Sequence, residues 1–500
     1  MRMSPRRIRV ALLVLLGAAS ISGGPLAGSQ AIPQAVAPGQ DVLRSRLALT
    51  SRVDEKTGLK ISEGTFAVFE DRSAAKGRTI HLGVVILHAK SSNPRPDPVF
   101  VFAGGPGADA AQSLRSYVNS WMLEERDVVL VSQRGTGGDN KLGCRLAVDD
   151  DNLQGYLDPL FREDVFKPCL DELRTKHDLT KYSTPLAADD YNDVRQALRY
   201  DRINVTGGSY GSRMALVYMR QHPKTVRTAI LSGVVPIANK NPLYHAANFD
   251  LGIKALIAEC AGDAECRAAV PNLEAEFHAI LARLAAKPAA TSVTHPVSGQ
   301  KVGVTLSREA FLEALRVMMY SGVRNRLVPS LLHRGFEGDF EPFAQIGLTS
   351  ERSLRQSLAL GQLLCVTCAE DVSRITEEEI VRIAGGTTAG DGRVRNQKRM
   401  CAFWPKSEIA SGYGDPVGAD VPTLLLSGTL DPVTPPRWGE EAASHLPRSL
   451  HLVVPGAHGV GGPCVLDIQR RFLAAGSVDG LDVSCAKDLK PARFRFTVER

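Results

Sequence analysis

The stretch VTGGSYGSR at residues 205–213 constrains the fold of this chain more than any other. It has the form G-x-S-x-G, in which a serine, here Ser209, stands on a sharp turn from a strand into a helix. The run at 202–205 predicts the strand, and residues 214–219 predict the helix. Only small neighbours allow such a strained turn, which accounts for Gly207 and Gly211. The pattern could arise by chance in a glycine-rich chain, but its strand–turn–helix setting favours a nucleophile.

Length and composition bound the class of protein. Five hundred residues exceed what one core organises, so we expect one large domain with a big insertion, or two domains. Apolar residues make up 44% of the chain and charged residues 23%, as in ordinary globular proteins. The formal charge of +6 is small for this length and lies partly at the N-terminus. No nucleic-acid partner is therefore expected.

The N-terminus predicts an export signal and leader over residues 1–36. Four arginines precede an apolar run at 10–19, and small residues follow, with cleavage expected between about residues 23 and 37. The mature protein would then be secreted or periplasmic, with no membrane contact. Arg6 and Arg7 also allow a twin-arginine signal. An uncleaved anchor is the rival, disfavoured because the run is shorter than the roughly eighteen residues that span a bilayer.

Nine cysteines in an exported chain favour disulfides over metal ligands. Sequence proximity makes three pairs candidates: Cys260 with Cys266, Cys144 with Cys169, and Cys464 with Cys485. Three cysteines remain, at positions 365, 368 and 401, and one of them must stay unpaired. Cys365 and Cys368 could form half of a zinc site, but no matching second pair and no histidine lies nearby. No metal is expected.

Short apolar runs that alternate with helical segments predict a mostly parallel sheet covered by helices. Besides the run before Ser209, they lie at 64–69, 80–87, 98–102, 127–131, 228–233, 421–428 and 450–454. The first two should form a hairpin that turns at 71–78.

A long segment without strand signals interrupts this pattern. Residues 255–269, 274–286 and 308–320 have the apolar spacing of helices. We therefore predict a first core part at 37–236, a helical cap insertion at 237–420 and a second core part at 421–500. The insertion should cover the carboxyl ends of the strands, where open α/β sheets bind their ligands.

Two later strand ends supply partners for Ser209. A serine hydroxyl needs a base to take its proton, usually an imidazole oriented by a carboxylate. With an elbow of this kind the chain order is Ser, Asp, His. Asp431 follows the run at 424–427, and His458 follows the run at 452–454. Alone, Asp431 could be an Asx-turn residue and His458 a loop histidine, but three such residues in order at strand ends favour a catalytic triad.

An oxyanion needs two backbone donors. One should be the N–H of Tyr210, directly after the nucleophile, and the other should come from the loop AGGPG at 103–107. Gly105 is the first choice there and Gly104 the second. The same glycines could simply make a tight turn, and both interpretations can hold together.

Together the motifs resemble the proline iminopeptidase and tripeptidyl aminopeptidase group of α/β-hydrolases, especially its exported members. They are AGGPG at 103–107, QRGTG at 133–137, GGSYGSR at 207–213, GTLDPVTP at 428–435 and GAHG at 456–459. The resemblance covers residues 60–486 and implies an α/β-hydrolase fold and serine hydrolysis without a cofactor. Similarity to the long secreted branch, which has a TAP-like C-terminal region, implies a Cys368–Cys401 pair and a free Cys365.

Two positions depart from this group. The chain has Ala103 where such proteins usually have His, and Ser132 where they usually have Asp. Neither belongs to the predicted triad, so the departures concern loop support and substrate preference rather than hydrolysis.

The expected function is that of an exported serine hydrolase that releases a single residue, for example proline, or a tripeptide from the free N-terminus of peptides. An esterase with the same triad is the alternative, and a non-enzymatic binding protein that keeps the fold is a third. A substrate ammonium that leaves water needs carboxylate partners. Glu370 and Asp371, adjacent in the insertion, are the first candidates, although two neighbouring acids commonly form a solvated surface.

Overall fold

A central sheet organises the computed structural model, which describes residues 39–145 and 150–497. The strands of this part of the chain are β1 (Leu47–Val53), β2 (Lys60–Phe69), β3 (Thr79–Leu87), β4 (Val99–Phe102), β5 (Val128–Val131), β6 (Ile203–Gly208), β7 (Val226–Ser232), β8 (Ala289–Thr294), β9 (Lys301–Leu306), β10 (Thr423–Gly428) and β11 (Ser449–Val454). Nine of them form one sheet in the order β1-β2-β3-β5-β4-β6-β7-β10-β11.

Helices fill most connections between the strands. In the described residues they are α1 (Gln40–Ser45), α2 (Leu114–Tyr117), α3 (Glu163–Leu173), α4 (Thr184–Ala197), α5 (Tyr210–Gln221), α6 (His245–Gly262), α7 (Ala264–Ala269), α8 (Leu273–Ala286), α9 (Arg308–Met318), α10 (Val328–Phe336), α11 (Glu341–Ser357), α12 (Leu360–Glu370), α13 (Glu377–Ile383), α14 (Gly392–Phe403), α15 (Pro436–His445) and α16 (Pro463–Ala475).

The sheet is mostly parallel, as the sequence predicts. β1, β2, β3 and β5 pair antiparallel, whereas β5, β4, β6, β7, β10 and β11 run parallel. Every residue of β4 and β5 is buried. Buried parallel strands are continuous apolar runs because helices cover both faces of the sheet.

The parallel strands bring the predicted site residues to one edge. Phe102 at the end of β4 pairs with Gly207 near the end of β6, two residues before Ser209. Gly428 at the end of β10 pairs with Val454 at the end of β11. Asp431 and His458 therefore follow neighbouring positions on adjacent strands, at the carboxyl edge where Ser209 also lies.

The insertion between β7 and β10 contains α6 to α14 and also a hairpin that the sequence prediction lacks. β8 and β9 pair antiparallel, with Val293 paired to Val302. The hairpin buries Val293, Val304 and Leu306 and packs on α11, where Ser292 donates to Glu341 at 2.9 Å. Each strand of the hairpin is only six residues long, so its alternation of apolar and polar residues is too short to be recognised between helices.

The insertion packs in two parts. Helices α6 to α11 share their own hydrophobic cluster, which includes Phe249, Phe277, Phe311 and Phe343. Residues of α12 and α14 instead join the cluster formed with the sheet and its helices, through Leu364 and Met400 among others. The later helices of the insertion thus belong to the same packed layer as the elbow helix α5.

Four disulfides link the described residues: Cys144–Cys169, Cys260–Cys266, Cys368–Cys401 and Cys464–Cys485. Cys365 is free and buried, and the indole of Trp404 donates to its sulfur at 3.4 Å. Because Cys368 is bonded to Cys401, the pair Cys365 and Cys368 is not half of a zinc site. Across residues 39–145 and 150–497, no group of three His, Cys, Asp or Glu side chains is arranged to hold a metal ion.

The predicted export signal lies outside the described residues. Among the helices of residues 39–145 and 150–497, none combines the length and the apolar character that crossing a bilayer requires.

Candidate active site

Ser209 stands on a strained turn between β6 and α5. Its backbone has φ of 56° and ψ of −130°, a conformation that residues with a side chain rarely adopt. A Cβ added to Gly207 would lie 2.3 Å from the carbonyl oxygen of Gly211, and one added to Gly211 would lie 2.1 Å from that of Phe102. Both positions therefore require glycine, and the turn presents the serine at the sheet edge.

Asp431 and His458 are hydrogen-bonded to each other, with 2.8 Å between Oδ2 and Nδ1. The Asp431 carboxylate also accepts from the N–H groups of Val433 and Thr434, both at 2.9 Å, and from the Thr434 hydroxyl at 2.6 Å. These donors fix the carboxylate, which in turn orients the imidazole. With its proton on Nδ1 facing Asp431, the ring keeps Nε2 free to accept another.

Ser209 and His458 line the same cavity of about 270 Å³. The hydrogen bonds of the His458 ring within the described residues are those at Nδ1, so the serine hydroxyl is not yet bonded to Nε2. Such catalytic contacts commonly tighten only when substrate binds.

Asp431 and His458 stabilise each other's charged forms. Burial alone would lower the pKa of His458, but the charge of Asp431 and its hydrogen bond outweigh burial and raise that pKa above its usual value. Burial would raise the pKa of Asp431, yet His458 and Thr434 hold it below its usual range. The carboxylate is therefore ionised at neutral pH, and the imidazole is a stronger base than a free histidine.

Activity is expected to rise with pH through a midpoint above about 6.5, the ordinary imidazole value. Below that midpoint His458 is an imidazolium and cannot take the serine proton. Its raised pKa therefore shifts the rising part of the pH–activity profile to higher pH. The dependence of kcat/KM on pH, measured with a chromogenic substrate, checks this. His458→Gln should give a flat profile at a very low level. A normal rising limb in that variant would assign the base elsewhere.

The predicted oxyanion donors lie beside Ser209. Tyr210 is the first residue of α5, so its N–H has no acceptor within the helix and sits at the positive end of the helix dipole. A Cβ added to Gly104 would lie 3.5 Å from that of Ser209. Gly104 and Gly105 both line the cavity, and Gly105 has φ of 110°. Donation by Tyr210 and Gly105 stays a prediction.

The QRGTG motif supports the elbow from behind. Gln133 donates to the Tyr210 hydroxyl at 3.0 Å, and that hydroxyl is also hydrogen-bonded to Thr184 at 2.7 Å. Arg134 is fully buried and bonds Asp190 through two nitrogens, at 2.6 and 2.9 Å. From the sequence, this motif was recognised only through the family resemblance. In the structure, its side chains hold the neighbouring elements in place.

The two residues that differ from the family pattern, Ser132 and Ala103, lie in the loops after β5 and β4. Ser132 donates to the carboxylate of Asp109 at 2.7 Å and so connects the loop after β5 with the loop after β4. Ala103 is partly buried and packs against the cluster that contains Leu130 and Val101.

Glu370 is buried outside the set of described residues that line the cavity, and its role as an amine partner stays a prediction. Its carboxyl group is fully buried and accepts from the Thr184 N–H at 2.6 Å, the Thr184 hydroxyl at 2.8 Å and the Tyr413 hydroxyl. Burial raises the pKa of Glu370 to about 7. These hydrogen bonds hold the Glu370 carboxyl group in the interior, next to Tyr210.

Asp371 reaches the cavity wall, but its charge is already neutralised. Arg213, from the elbow helix α5, donates to both of its carboxylate oxygens, at 2.7 and 2.8 Å. A substrate amine would have to displace this buried arginine. The role of Asp371 as an amine partner stays a prediction, and the pair of acids is not a solvated surface.

Other acids of the insertion line the cavity instead. Glu313 on α9 and Glu351 on α11 both belong to its wall. Arg316 donates to Glu313 at 2.9 Å, and Arg355 donates to Glu351 at 3.0 Å. The other oxygen of Glu351, Oε1, is buried and has no hydrogen-bond partner among residues 39–145 and 150–497.

Sequence reasoning predicted the helix at 308–320 but missed its polar face. Glu313 and Arg316, three residues apart on this helix, were the available signal. Tyr320 follows on the same side, with its ring centroid 5.0 Å from that of His458.

Comparisons with known proteins agree with this architecture. Residues 97–297 match the family model of the alpha/beta hydrolase fold, and residues 388–485 match that of TAP-like proteins. The chain thus has the α/β-hydrolase fold, and residues 388–485 are similar to TAP-like proteins.

The individual relatives and solved structures have low sequence identity to this chain. Serine protease Hip1 of Mycobacterium tuberculosis is 23% identical over 419 residues, covering 76% of this chain and 79% of that protein. A proline iminopeptidase of Neisseria gonorrhoeae is 28% identical over 149 residues, which cover 30% of this chain and 36% of that protein. The solved proline iminopeptidase of Mycobacterium smegmatis has a TM-score of 0.38 and 16% identity, covering 82% of this chain and 96% of that one.

Proposed function

We propose that this protein is an exported serine aminopeptidase that releases residues from the free N-terminus of peptides. The observation that carries the proposal is one cavity, lined both by Ser209 and His458 and by the carboxylates Glu313 and Glu351 of the insertion. The similarity to a serine protease and to proline iminopeptidases supports a peptide substrate. Four disulfides suit an oxidising compartment outside the cytoplasm.

In the proposed mechanism Ser209 attacks the scissile carbonyl while Nε2 of His458 takes the hydroxyl proton. Asp431 holds the ring and stabilises the imidazolium that forms. The N–H groups of Tyr210 and Gly105 would bind the oxyanion. His458 then returns the proton to the leaving amine, and water releases the acyl group by the same steps in reverse order. No step calls for a cofactor.

The free N-terminus would be recognised by Glu351, because Arg316 already bonds both carboxylate oxygens of Glu313. Burial, with the nearby charge of Glu313, raises the pKa of Glu351 above its usual value, so an adjacent cation would favour its ionised form. Its Oε1 atom is buried and has no hydrogen-bond partner within the residues that the structure describes. An ammonium group at this point would supply the missing donor, and the carboxylate would offset the ammonium's loss of water.

Blocking the substrate's amino group is expected to lower kcat/KM by about thirtyfold or more. An acetylated N-terminus loses a charge-assisted hydrogen bond to a buried carboxylate, worth roughly 2 kcal/mol. Aminoacyl and tripeptidyl amides, each free and acetylated, should be compared beside short-chain esters. Mass analysis of a digested peptide mixture would show whether one residue or three are released.

A matched pair of variants assigns this preference to the cavity. Glu351→Gln should lose most of the discrimination between free and acetylated substrates while keeping ester hydrolysis. Glu337→Gln, an exposed acid of the same insertion, should keep it. Equal cleavage of free and blocked substrates by the unaltered protein would contradict the aminopeptidase and leave an esterase or endopeptidase. Thermal melting of both variants controls for lost stability, since Glu351 also pairs with Arg355.

A further inference from the structure

A second cavity adjoins the proposed active site and shares part of its wall. It has a volume of about 140 Å³ and lies between the segment that contains Phe161 and helices α6, α9, α11 and α14. Leu160, His245 and Arg393 line both cavities. These shared side chains place the second cavity directly beside the one that contains Ser209.

The arginines that line the two cavities differ in whether a carboxylate pairs with their charge. Arg213 pairs with Asp371 at 2.7 Å, Arg316 with Glu313, and Arg355 with Glu351 at 3.0 Å. Arg393 also lines both cavities, but within residues 39–145 and 150–497 no carboxylate lies within the 4.0 Å of an ion pair with it. Its charge is the one in these walls that no acid of the described chain neutralises at contact distance.

Arg393 is nevertheless held in place. It is the second residue of α14, and its guanidinium lies over the Phe161 ring, 4.3 Å from the centroid. Stacking fixes the plane of the guanidinium but uses none of its N–H donors. Its Nε is buried and has no hydrogen-bond partner in the described part of the chain. Burial lowers the pKa of Arg393 to about 10, with Glu313 opposing and Arg316 adding to the shift, so the side chain is still cationic at neutral pH.

We propose that Arg393 is a subsite for a substrate carboxylate, so that the enzyme prefers peptides bearing a carboxylate close to the scissile bond. The inference rests on the proposed function. A planar guanidinium with free N–H donors matches a carboxylate in shape and charge. The carboxylate is either the acidic side chain of the N-terminal residue or the free C-terminus of a short peptide. Glu351 would hold the ammonium of the same substrate.

Two pairs of substrates distinguish these sources. For the side chain, the glutamyl and glutaminyl amides of a fluorogenic amine differ only in charge at similar size. For the C-terminus, trialanine is compared with trialanine amide. The unaltered protein should prefer the charged member of one pair by at least about tenfold in kcat/KM, as for a charge-assisted hydrogen bond.

The variant Arg393→Gln should abolish that preference by slowing the charged substrates much more than the uncharged ones. Arg395→Gln is the matched control, because Arg395 lies on the same helix but pairs with Glu377 and Asp391 outside both cavities. Arg393→Lys should restore only part of the preference, since an ammonium cannot bind a carboxylate through two parallel bonds. A purely structural role for Arg393 would slow charged and uncharged substrates alike.

Binding measurements separate this proposal from the aminopeptidase itself. Calorimetric titration of the Ser209→Ala variant with each substrate pair tests the subsite even if no amide is cleaved. Tighter binding of a charged member, lost on adding Arg393→Gln, supports the subsite in either case. Equal binding within both pairs, or a preference that survives Arg393→Gln, overturns it, while rapid cleavage of uncharged free-amine substrates would leave the aminopeptidase standing.

Discussion

Replacing Ser209 with alanine is expected to lower kcat by about ten-thousand-fold or more, because only substrate binding and the oxyanion donors remain without the nucleophile. The fold should tolerate the change. The positive φ at this position is strained for alanine as it is for serine, and the glycines on either side make the same close approaches. Single-turnover and steady-state rates on a free-amine substrate, together with thermal melting, measure both effects.

Covalent labelling provides the control for this variant. A fluorophosphonate should label the unaltered protein at Ser209 and fail to label Ser209→Ala. Ser444→Ala, which removes an exposed hydroxyl on α15, should leave both labelling and turnover unchanged. Near-normal turnover by a folded Ser209→Ala protein would remove the serine mechanism, and with it the proposed function.

The parallel strands of the core were predictable because buried strands consist of consecutive apolar residues. β4 and β5 are buried throughout, and their residues form continuous apolar runs. β1 was missed for the opposite reason. It is an edge strand with mostly exposed residues, LALTSRV, and its pairing with β2 depends on contacts that sequence periodicity does not record.

The triad residues were predictable because their positions follow from the sheet. Each comes within a few residues of a parallel strand's end, and parallel ends meet at one edge. The cavity wall did not follow in this way. Glu313 and Glu351 lie on two helices whose relative placement depends on packing of the insertion. The buried partners of Glu370 and Asp371, Tyr413 and Arg213, are likewise distant in sequence and could not be identified from it.

Changing Asp431 to asparagine is the second substitution with a large expected effect, a loss in kcat of about ten-thousand-fold. Asparagine can keep the oxygen that accepts from the N–H groups of Val433 and Thr434. Its amide nitrogen would instead face Nδ1 of His458. The imidazole would then accept at Nδ1 and carry its proton on Nε2, so it could not take a proton from Ser209.

The pH profile distinguishes this mechanism from simple loss of structure. Asp431 raises the pKa of His458 through its charge and its hydrogen bond, so the residual activity of Asp431→Asn should have its rising limb at lower pH than the unaltered protein. Asp420→Asn, an exposed acid just before β10, should change neither rate nor limb. If Asp431→Asn kept its rate within about tenfold and its limb in place, Asp431 would be only the turn residue before Pro432 that the sequence also allowed, and another carboxylate would have to orient His458.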